Sequence, residues 1–227
     1  MVFEYMSLSI VENIDCMTRL REAPDNHWDL AICDPPYGIE GRLTREDSLL
    51  NKYHSVNLPK GKYFNSMPCK EYFAELNRVA CNAIIWGGNY FTMPPSRGFV
   101  IWDKLTGIPN ISHCEYAWTS LDCCSKIFRW NNQGFLSETK IHPTQKPVAL
   151  YKWLLTNYAK PGQTILDTHM GSQSSRIAAW DLGFDFTGFE LDEDYYKAGC
   201  ERFEIHTAQA KLFDAPVLET VEQNNLF

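Results

Sequence analysis

Residues 34–37 read Asp34-Pro35-Pro36-Tyr37 and directly follow an apolar run of strand length, Leu30-Ala31-Ile32-Cys33. Two successive prolines restrict the backbone and remove two N–H donors, leaving carbonyls aimed as acceptors beside a carboxylate. With an aromatic face next to them, these groups suit a flat ring that bears an exocyclic amino group. The plainer alternative is a proline-stiffened turn with an aspartate cap, because tetrapeptides also match by chance. A second group, Asp167-Thr168-His169-Met170-Gly171-Ser172, follows the short apolar stretch Thr164–Leu166 and leads into helical sequence. A glycine loop there lets a ligand approach the backbone and a helix N-terminus. Glu190 ends the next apolar stretch about 20 residues on, where an acid at a nucleotide site binds ribose hydroxyls. Asp167 makes phosphate an unfavourable ligand, and one with a cationic or amino end fits better.

These groups need elements to hold them. Residues 7–33 read as a short strand, a helix around Met17–Arg21, a Pro24-Asp25-Asn26 turn and a buried strand from Trp28 to Cys33. The stretch 38–68 is polar, punctuated by Gly and Pro and without period, a length of loop that is uncommon unless functional or mobile. Tyr72, Phe73, Leu76 and Val79 lie near one face of a helix over Glu71–Ala80. Ala83–Trp86, Phe99–Trp102 and Tyr116–Leu121 are apolar runs of strand length. Pro147 can start a helix carrying Leu150, Trp153 and Leu154, ended near Lys160-Pro161-Gly162. Thr164–Leu166 is then a strand, Arg176–Leu182 a helix and Phe186–Phe189 a strand. Asp192, Glu193 and Asp194 open a last helix at its positive end, with Arg202 and His206 near its negative end. Strands alternating with helices imply an α/β fold with a doubly wound, mostly parallel sheet, whose ligands sit beyond the carboxyl ends of the strands. No assignment extends past Thr207.

The length of 227 residues allows a single domain, 1–227, with a sizeable insertion. Hydrophobic residues at 44% and charged residues at 22% exclude a disordered or fibrous protein. The net charge of −7, from 21 Lys+Arg against 28 Asp+Glu, argues against non-specific coating of nucleic acid or an anionic membrane. A nucleic-acid enzyme would need its basic residues clustered. The 8 cysteines form no CxxC pair and have no histidine at zinc-finger spacing, so no metal site is expected. Cysteines within apolar runs fit a reducing compartment. With no signal-peptide pattern and no apolar run approaching ~18 residues, a soluble cytoplasmic protein without a membrane partner is expected.

Taken in order, Asp34-Pro35-Pro36-Tyr37, His142-Pro143-Thr144-Gln145-Lys146-Pro147, Asp167–Ser172 and Glu190 resemble the S-adenosylmethionine-dependent DNA amino-methyltransferases that modify adenine N6 or cytosine N4. Having the catalytic motif ahead of the cofactor loop is similar to the circularly permuted β group of that family. The resemblance implies a class I methyltransferase sheet of seven strands, mostly parallel with an antiparallel strand. It implies catalytic roles for Asp34, Pro35, Pro36 and Tyr37, and a cofactor site from Asp15, His142, Thr144, Lys146, Asp167, His169, Gly171, Ser172 and Glu190. Within that site Asp15 would contact the cofactor's adenine, Lys146 would lie near its methionine end and Glu190 would hold the ribose. The plainer readings of Asp15 and Lys146 are a helix N-cap and a solvated lysine. One position departs from the pattern: the family's Gly-Ser-Gly is here Gly171-Ser172-Gln173. A residue with a Cβ there loses easy access to positive φ and adds bulk near the ligand. The bland alternative is a side chain that points into solvent.

The chemistry so implied starts with a base flipped out of its duplex and stacked on Tyr37, worth ~1–3 kcal/mol. Hydrogen bonds from its amino group to the Asp34 carboxylate and the Pro35 carbonyl would aim the nitrogen at the methylsulfonium, with catalysis by positioning and electrostatics. The leading Asp favours adenine N6 over cytosine N4. The rivals are transfer to a protein glutamine amide, whose similar motif begins with Asn, and a DNA-binding module weakened by Gln173. Arg42, Arg45, Lys52, Lys60 and Lys62, interleaved with Tyr53, His54 and Tyr63, suggest a mobile DNA-facing lid over 38–68. Lys126, Arg129 and Lys140, with Trp130 and Asn131-Asn132-Gln133, suggest a second loop able to reach base edges of double-stranded DNA. In a short tail at 207–227, Gln209–Phe213 and Gln223–Phe227 resemble the peptide by which bacterial proteins dock on the replication sliding clamp. The protein is expected to be a monomer or homodimer, and a restriction-modification role follows from the same resemblance.

Overall fold

Alternate residues of a strand face opposite sides of a sheet, and in Trp28–Cys33 both sides are apolar. Leu30 and Ile32 join a cluster with Ile84, Trp86 and Leu154, whereas Ala31 and Cys33 join another with Leu20, Leu76 and Ile85. A strand buried on both faces belongs in the middle of a sheet covered by helices on each side. The structure is a computed structural model and describes residues 7–38, 67–106, 112–131 and 140–213.

In chain order the elements are β1 (Ser9–Asn13), α1 (Cys16–Glu22), β2 (Trp28–Cys33), α2 (Lys70–Val79), β3 (Ala80–Trp86), β4 (Phe99–Asp103), β5 (Cys114–Thr119), β6 (Lys126–Arg129), α3 (Val148–Tyr158), β7 (Thr164–Asp167), α4 (Ser174–Asp181), β8 (Asp185–Glu190) and α5 (Glu193–Phe213). The sheet has 8 strands in the order β1-β8-β7-β2-β3-β5-β4-β6. β5 runs antiparallel to both its neighbours, and the remaining pairs are parallel. The expected seven-stranded sheet with one antiparallel strand is therefore present with a strand added. The addition is β6, paired to β4 at the sheet edge through Val100–Asp103 and Lys126–Arg129. Its residues read as a basic loop in the sequence because only Phe128 of the four turns inward.

Local sequence sets the helices. Asp15 accepts a hydrogen bond from Met17 N and caps α1. Tyr72, Leu76 and Val79 give α2 a buried stripe at i, i+4 and i+7, and Pro147 starts α3 with φ −70°. Each Leu or Ile so buried contributes ~1.5–3 kcal/mol. α1 and α2 cover one face of the sheet, α3 and α4 the other. The last helix runs on to Phe213, beyond Thr207, so Gln209–Phe213 is helical rather than part of a tail. Gln223–Phe227, and Arg42, Arg45, Lys52, Lys60 and Lys62 of the suggested lid, lie outside the described residues.

The strand order reverses between β7 and β2, which pair in parallel through Leu30–Ile165 and Ala31–Leu166. From β2 the chain moves to β3 on one side, and from β7 to β8 on the other. At such a switch point the loops after the two strands part and leave a crevice. Here those loops are Asp34–Tyr37 and Asp167–Ser172.

Candidate functional site

Asp34 follows the last residue of β2, with its side chain mostly buried. Its Oδ1 accepts a hydrogen bond of 2.5 Å from the Tyr37 hydroxyl. Tyr37 lies against the turn after β3, where Gly87 has φ 70° and a Cβ would stand 2.2 Å from Tyr37 Cε1. Glycine is required there both for its backbone and for its missing side chain. The Tyr37 ring also stacks on Tyr90, at 4.9 Å between centroids and 15° between planes. Tyr90, which no sequence motif singles out, thus covers one face of the Tyr37 ring.

Lys146 is not solvated. It is buried, and its Nζ donates to Asp34 Oδ2 at 2.5 Å and to the Tyr37 hydroxyl at 3.2 Å. The same ammonium is 3.1 Å from Glu115 Oε2, and Glu115 Oε1 is 2.6 Å from Lys104 Nζ. Four charges therefore alternate in a chain: Lys104, Glu115, Lys146, Asp34. Burial favours a neutral amine at Lys146, but Asp34 and then Glu115 outweigh it and raise its pKa above that of an ordinary lysine. Glu115 is pushed up by burial and pulled down further by Lys146 and Lys104, to about 2. Asp34 is raised by burial, with Lys146 opposing and Glu115 adding to the rise.

Glu115 and Lys104 belong to no motif and stand outside the residues expected to form the site. A signal existed, since Glu115 is in phase with Ala117 and Thr119, the inward face of β5, and a carboxylate on such a face needs a partner.

The second loop meets the first at the switch point. Asp167 is buried at the end of β7, accepting 2.5 Å from Ser175 Oγ and 3.0 Å from His169 N. Burial is the main cause that lifts its pKa to about 7, with Asp34 and Glu190 adding to it. Gly171 has φ 47°, and its N–H donates to Glu190 Oε2 at 2.7 Å while Glu190 Oε1 accepts from Asp192 N at 2.9 Å. A Cβ on Gly171 would lie 3.4 Å from the His142 ring, so the segment carrying Lys146 closes over the glycine loop. His142 in turn packs on Tyr195 at 4.3 Å and shares a 3.2 Å hydrogen bond with Thr144 Oγ1. Tyr72 OH, Thr168 Oγ1 and His169 Nδ1 form a linked series at 2.7 and 2.9 Å. Burial lowers both His142 and His169 to about 4, so both rings are neutral at neutral pH. Ser172 Oγ is 3.1 Å from Ser174 Oγ, and its carbonyl accepts from Arg202.

Two expectations are corrected at Gln173. It adopts the left-handed conformation, φ 58° and ψ 27°, so the Cβ does not bar this backbone. Nor does it point into solvent: the residue is 0% exposed, its Nε2 reaches Tyr196 O at 3.2 Å and its Oε1 accepts from Arg176 at 2.9 Å. The side chain turns inward, between α4 and α5.

Asp15 stands as the exposed N-cap of α1. Of the second suggested DNA loop, Lys126 and Arg129 are on edge strand β6. Lys126 donates to Asn157 Oδ1 at 2.8 Å, and Arg129 Nε is 3.5 Å from Asp103. Lys140 is half-buried, and burial followed by Lys104 lowers its pKa. Trp130 is exposed and stacks on Phe128; Asn132 and Gln133 lie outside the described residues. Among the described residues no cluster of His, Cys, Asp or Glu could hold a metal ion, and no helix is long and apolar enough to cross a membrane.

Sheet order, switch-point acids and glycine loop define an α/β protein of the class I methyltransferase type. Residues 85–201 match the family described as DNA methylase (N6_N4_Mtase), and the chain belongs to that family. The type II methyltransferase M.HinfI of Haemophilus influenzae is 25% identical over 233 residues, covering 80% of this chain and 64% of its own length. The chain thus spans a little under two thirds of that relative. The putative methylase YubD of Escherichia coli (strain K12) is 24% identical over 210 residues, covering 83% of this chain and 87% of its own. Among solved structures, the M1.HpyAVI–SAM complex superposes with a TM-score of 0.58 at 16% identity, covering 86% of this chain and 98% of that one. The PvuII DNA methyltransferase (cytosine-N4-specific) gives 0.57 at 13% identity, with 89% and 91% covered. At these identities the two structures establish the shared fold.

Proposed function

We propose that the chain transfers a methyl group from S-adenosylmethionine to the exocyclic amino group of a base in double-stranded DNA, with adenine N6 as the target. The observation that carries this reading is the Asp34 carboxylate at the switch point, beside a tyrosine ring and one loop away from Gly171 and Glu190. Membership of the DNA methylase family supports it, as do its similarities to a type II methyltransferase and a putative methylase.

The residues fit the cofactor. The glycine loop forms a cradle that a Cβ at Gly171 would narrow against His142, and the acids Asp167 and Glu190 line its ends. An acidic donor set suits an amino group, ribose hydroxyls and a sulfonium, and repels phosphate. Asp167, Gly171, Ser172 and Glu190 would hold the cofactor, with His142, Thr144 and His169 around them and Asp15 towards the adenine. When bound, S-adenosylmethionine supplies an electrophilic methyl group on sulfur.

The amino nitrogen is a poor nucleophile because its lone pair is delocalised into the ring. Hydrogen bonds to Asp34 and to the Pro35 carbonyl localise that pair and aim it. As the N–C bond forms and the C–S bond breaks, the amino group gives up a proton, and Asp34 is positioned to take it. Tyr37 supports the flipped ring, and Lys146 stabilises the charge on Asp34.

The test is nucleoside mass spectrometry of host DNA with and without expression, with an Asp34→Ala control. N6-methyladenine dependent on Asp34 is expected. N4-methylcytosine would move the reading to the other amino base. Methylated glutamine in a parallel digest of host protein would favour transfer to protein, and no methylated product in either digest would leave a binding module.

A further inference from the structure

The lysine that neutralises Asp34 also sits where the proposed substrate amino group must bind. Lys146 Nζ donates to Asp34 Oδ2, so an incoming amine competes with an ammonium for the same acceptor. The neighbouring Glu115 Oε2 is buried and lies 3.1 Å from the same ammonium, a longer and less well aligned contact than the one to Asp34. A buried carboxylate oxygen held only by so long a contact is poorly compensated, and its bond would shorten and straighten if the ammonium turned towards it. The other oxygen of Glu115 is already held by Lys104.

We infer that Glu115 is a positioning residue that draws the Lys146 ammonium off Asp34 when the target base enters, with Lys104 setting how strongly it pulls. The lysine then has two stations. At the first it favours the ionised form of Asp34 before the base enters. At the second it bonds Glu115 Oε2 and leaves Asp34 Oδ2 open to the amino group, while remaining close enough to stabilise the carboxylate. No charge leaves the buried chain during the exchange, because one acceptor is traded for another. Trp86 and Tyr37 offer their rings to the ammonium, at 5.4 and 5.7 Å from Nζ, and so line its path.

This inference rests on the proposed methyl transfer. It predicts opposite effects from two changes remote from the substrate. Glu115→Gln removes the second station and a negative charge that raises Asp34, so the base must compete with a lysine fixed on Asp34. kcat/KM for DNA should fall about tenfold, cofactor Kd should stay within about twofold, and the acid limb of the pH–rate profile should move to lower pH. Lys104→Gln leaves Glu115 with Lys146 as its cation, draws the ammonium away from Asp34 and should move the acid limb to higher pH. The same opposed shifts should appear in the titration midpoint of the Asp34 carboxyl, followed by 13C NMR on cofactor-free protein and assigned with Asp34→Asn. Shifts of the same sign, or none, in folded variants would overturn the inference while an active wild type leaves the methyl-transfer reading intact. A wild type that methylates no amino group would overturn both.

Discussion

The side chain of Gln173 fills the space that a Cβ at residue 199 would need: built on Gly199, that atom would stand 2.6 Å from Gln173 Cγ. The glycine loop is thereby keyed into the last helix. Gln173→Gly would relieve the left-handed backbone by about 1 kcal/mol. It would also empty a buried site and remove one hydrogen bond each from the Tyr196 carbonyl and Arg176, which outweighs the relief. We expect a net loss of ~1–3 kcal/mol, seen as a fall of ~2–4 °C in Tm per kcal/mol. Gly199→Ala alone should destabilise by overpacking, yet in the Gln173→Gly background it should stabilise through helix propensity. Denaturant titration of the four proteins should show a coupling of ~0.5–3 kcal/mol; additive effects would dissolve the pairing.

Asp34→Ala should reduce turnover by orders of magnitude while S-adenosylmethionine still binds. Lys146 retains Glu115 as a partner in this variant, so the fold should survive. Single-turnover kinetics alongside calorimetric cofactor titration separate the two effects. Near-normal methyl transfer would reject the assigned role.

Cofactor affinity should depend on pH through Asp167. Burial raises this carboxyl to about 7, so it is mostly protonated below that pH in the free protein. A ligand whose amino end needs the carboxylate must first expel the proton. The apparent Kd should therefore weaken by about tenfold per pH unit below the midpoint and level off above it. Calorimetry in buffers of different ionisation heat should detect the released proton. Asp167→Asn should bind more weakly and without this slope.

The pH dependence of stability has two opposed contributions in the same range. Asp167, raised on folding, contributes stability that is full below the ordinary Asp value and lost as pH rises through about 7. His142 and His169, both lowered to about 4, contribute stability that is present above the ordinary His value and lost as pH falls through about 4. Replacing Asp167 by Asn should therefore steepen the loss of Tm on going from pH 7 to 4. An unchanged slope would show that Asp167 is not raised by burial.

DNA affinity should be most sensitive to the segment 38–68. Replacing Lys60 and Lys62 by Ala should flatten the log–log salt dependence by ~1 for each phosphate no longer neutralised, across sequences. Lys126→Ala and Arg129→Ala should change it less, because Asn157 and Asp103 already engage those side chains. The reverse ranking in a fluorescence-anisotropy series would place DNA along β6.

Much of this protein is determined by local sequence. A run such as Trp28–Cys33, apolar on both faces apart from Asp29 and bounded by a turn and two prolines, reads as an interior strand, and Pro147 with the apolar residues of α3 reads as a helix. Where β2 and β7 end, Asp34 and Asp167 must emerge at the carboxyl edge of the sheet, so the acids and the glycine loop were legible from order alone. The tertiary structure decided what those acids touch. Lys146 meets Asp34 across 112 positions of sequence, and Glu115 reaches it because β5 inserts antiparallel between β3 and β4, in the register that sets Trp102 opposite Glu115. Strand insertion and register are chosen by packing over the whole sheet, and no periodicity within β5 encodes them. Gln173 makes the same point: its departure from Gly-Ser-Gly is visible in the sequence, but the space that accepts it exists only because α5 brings Gly199 against it.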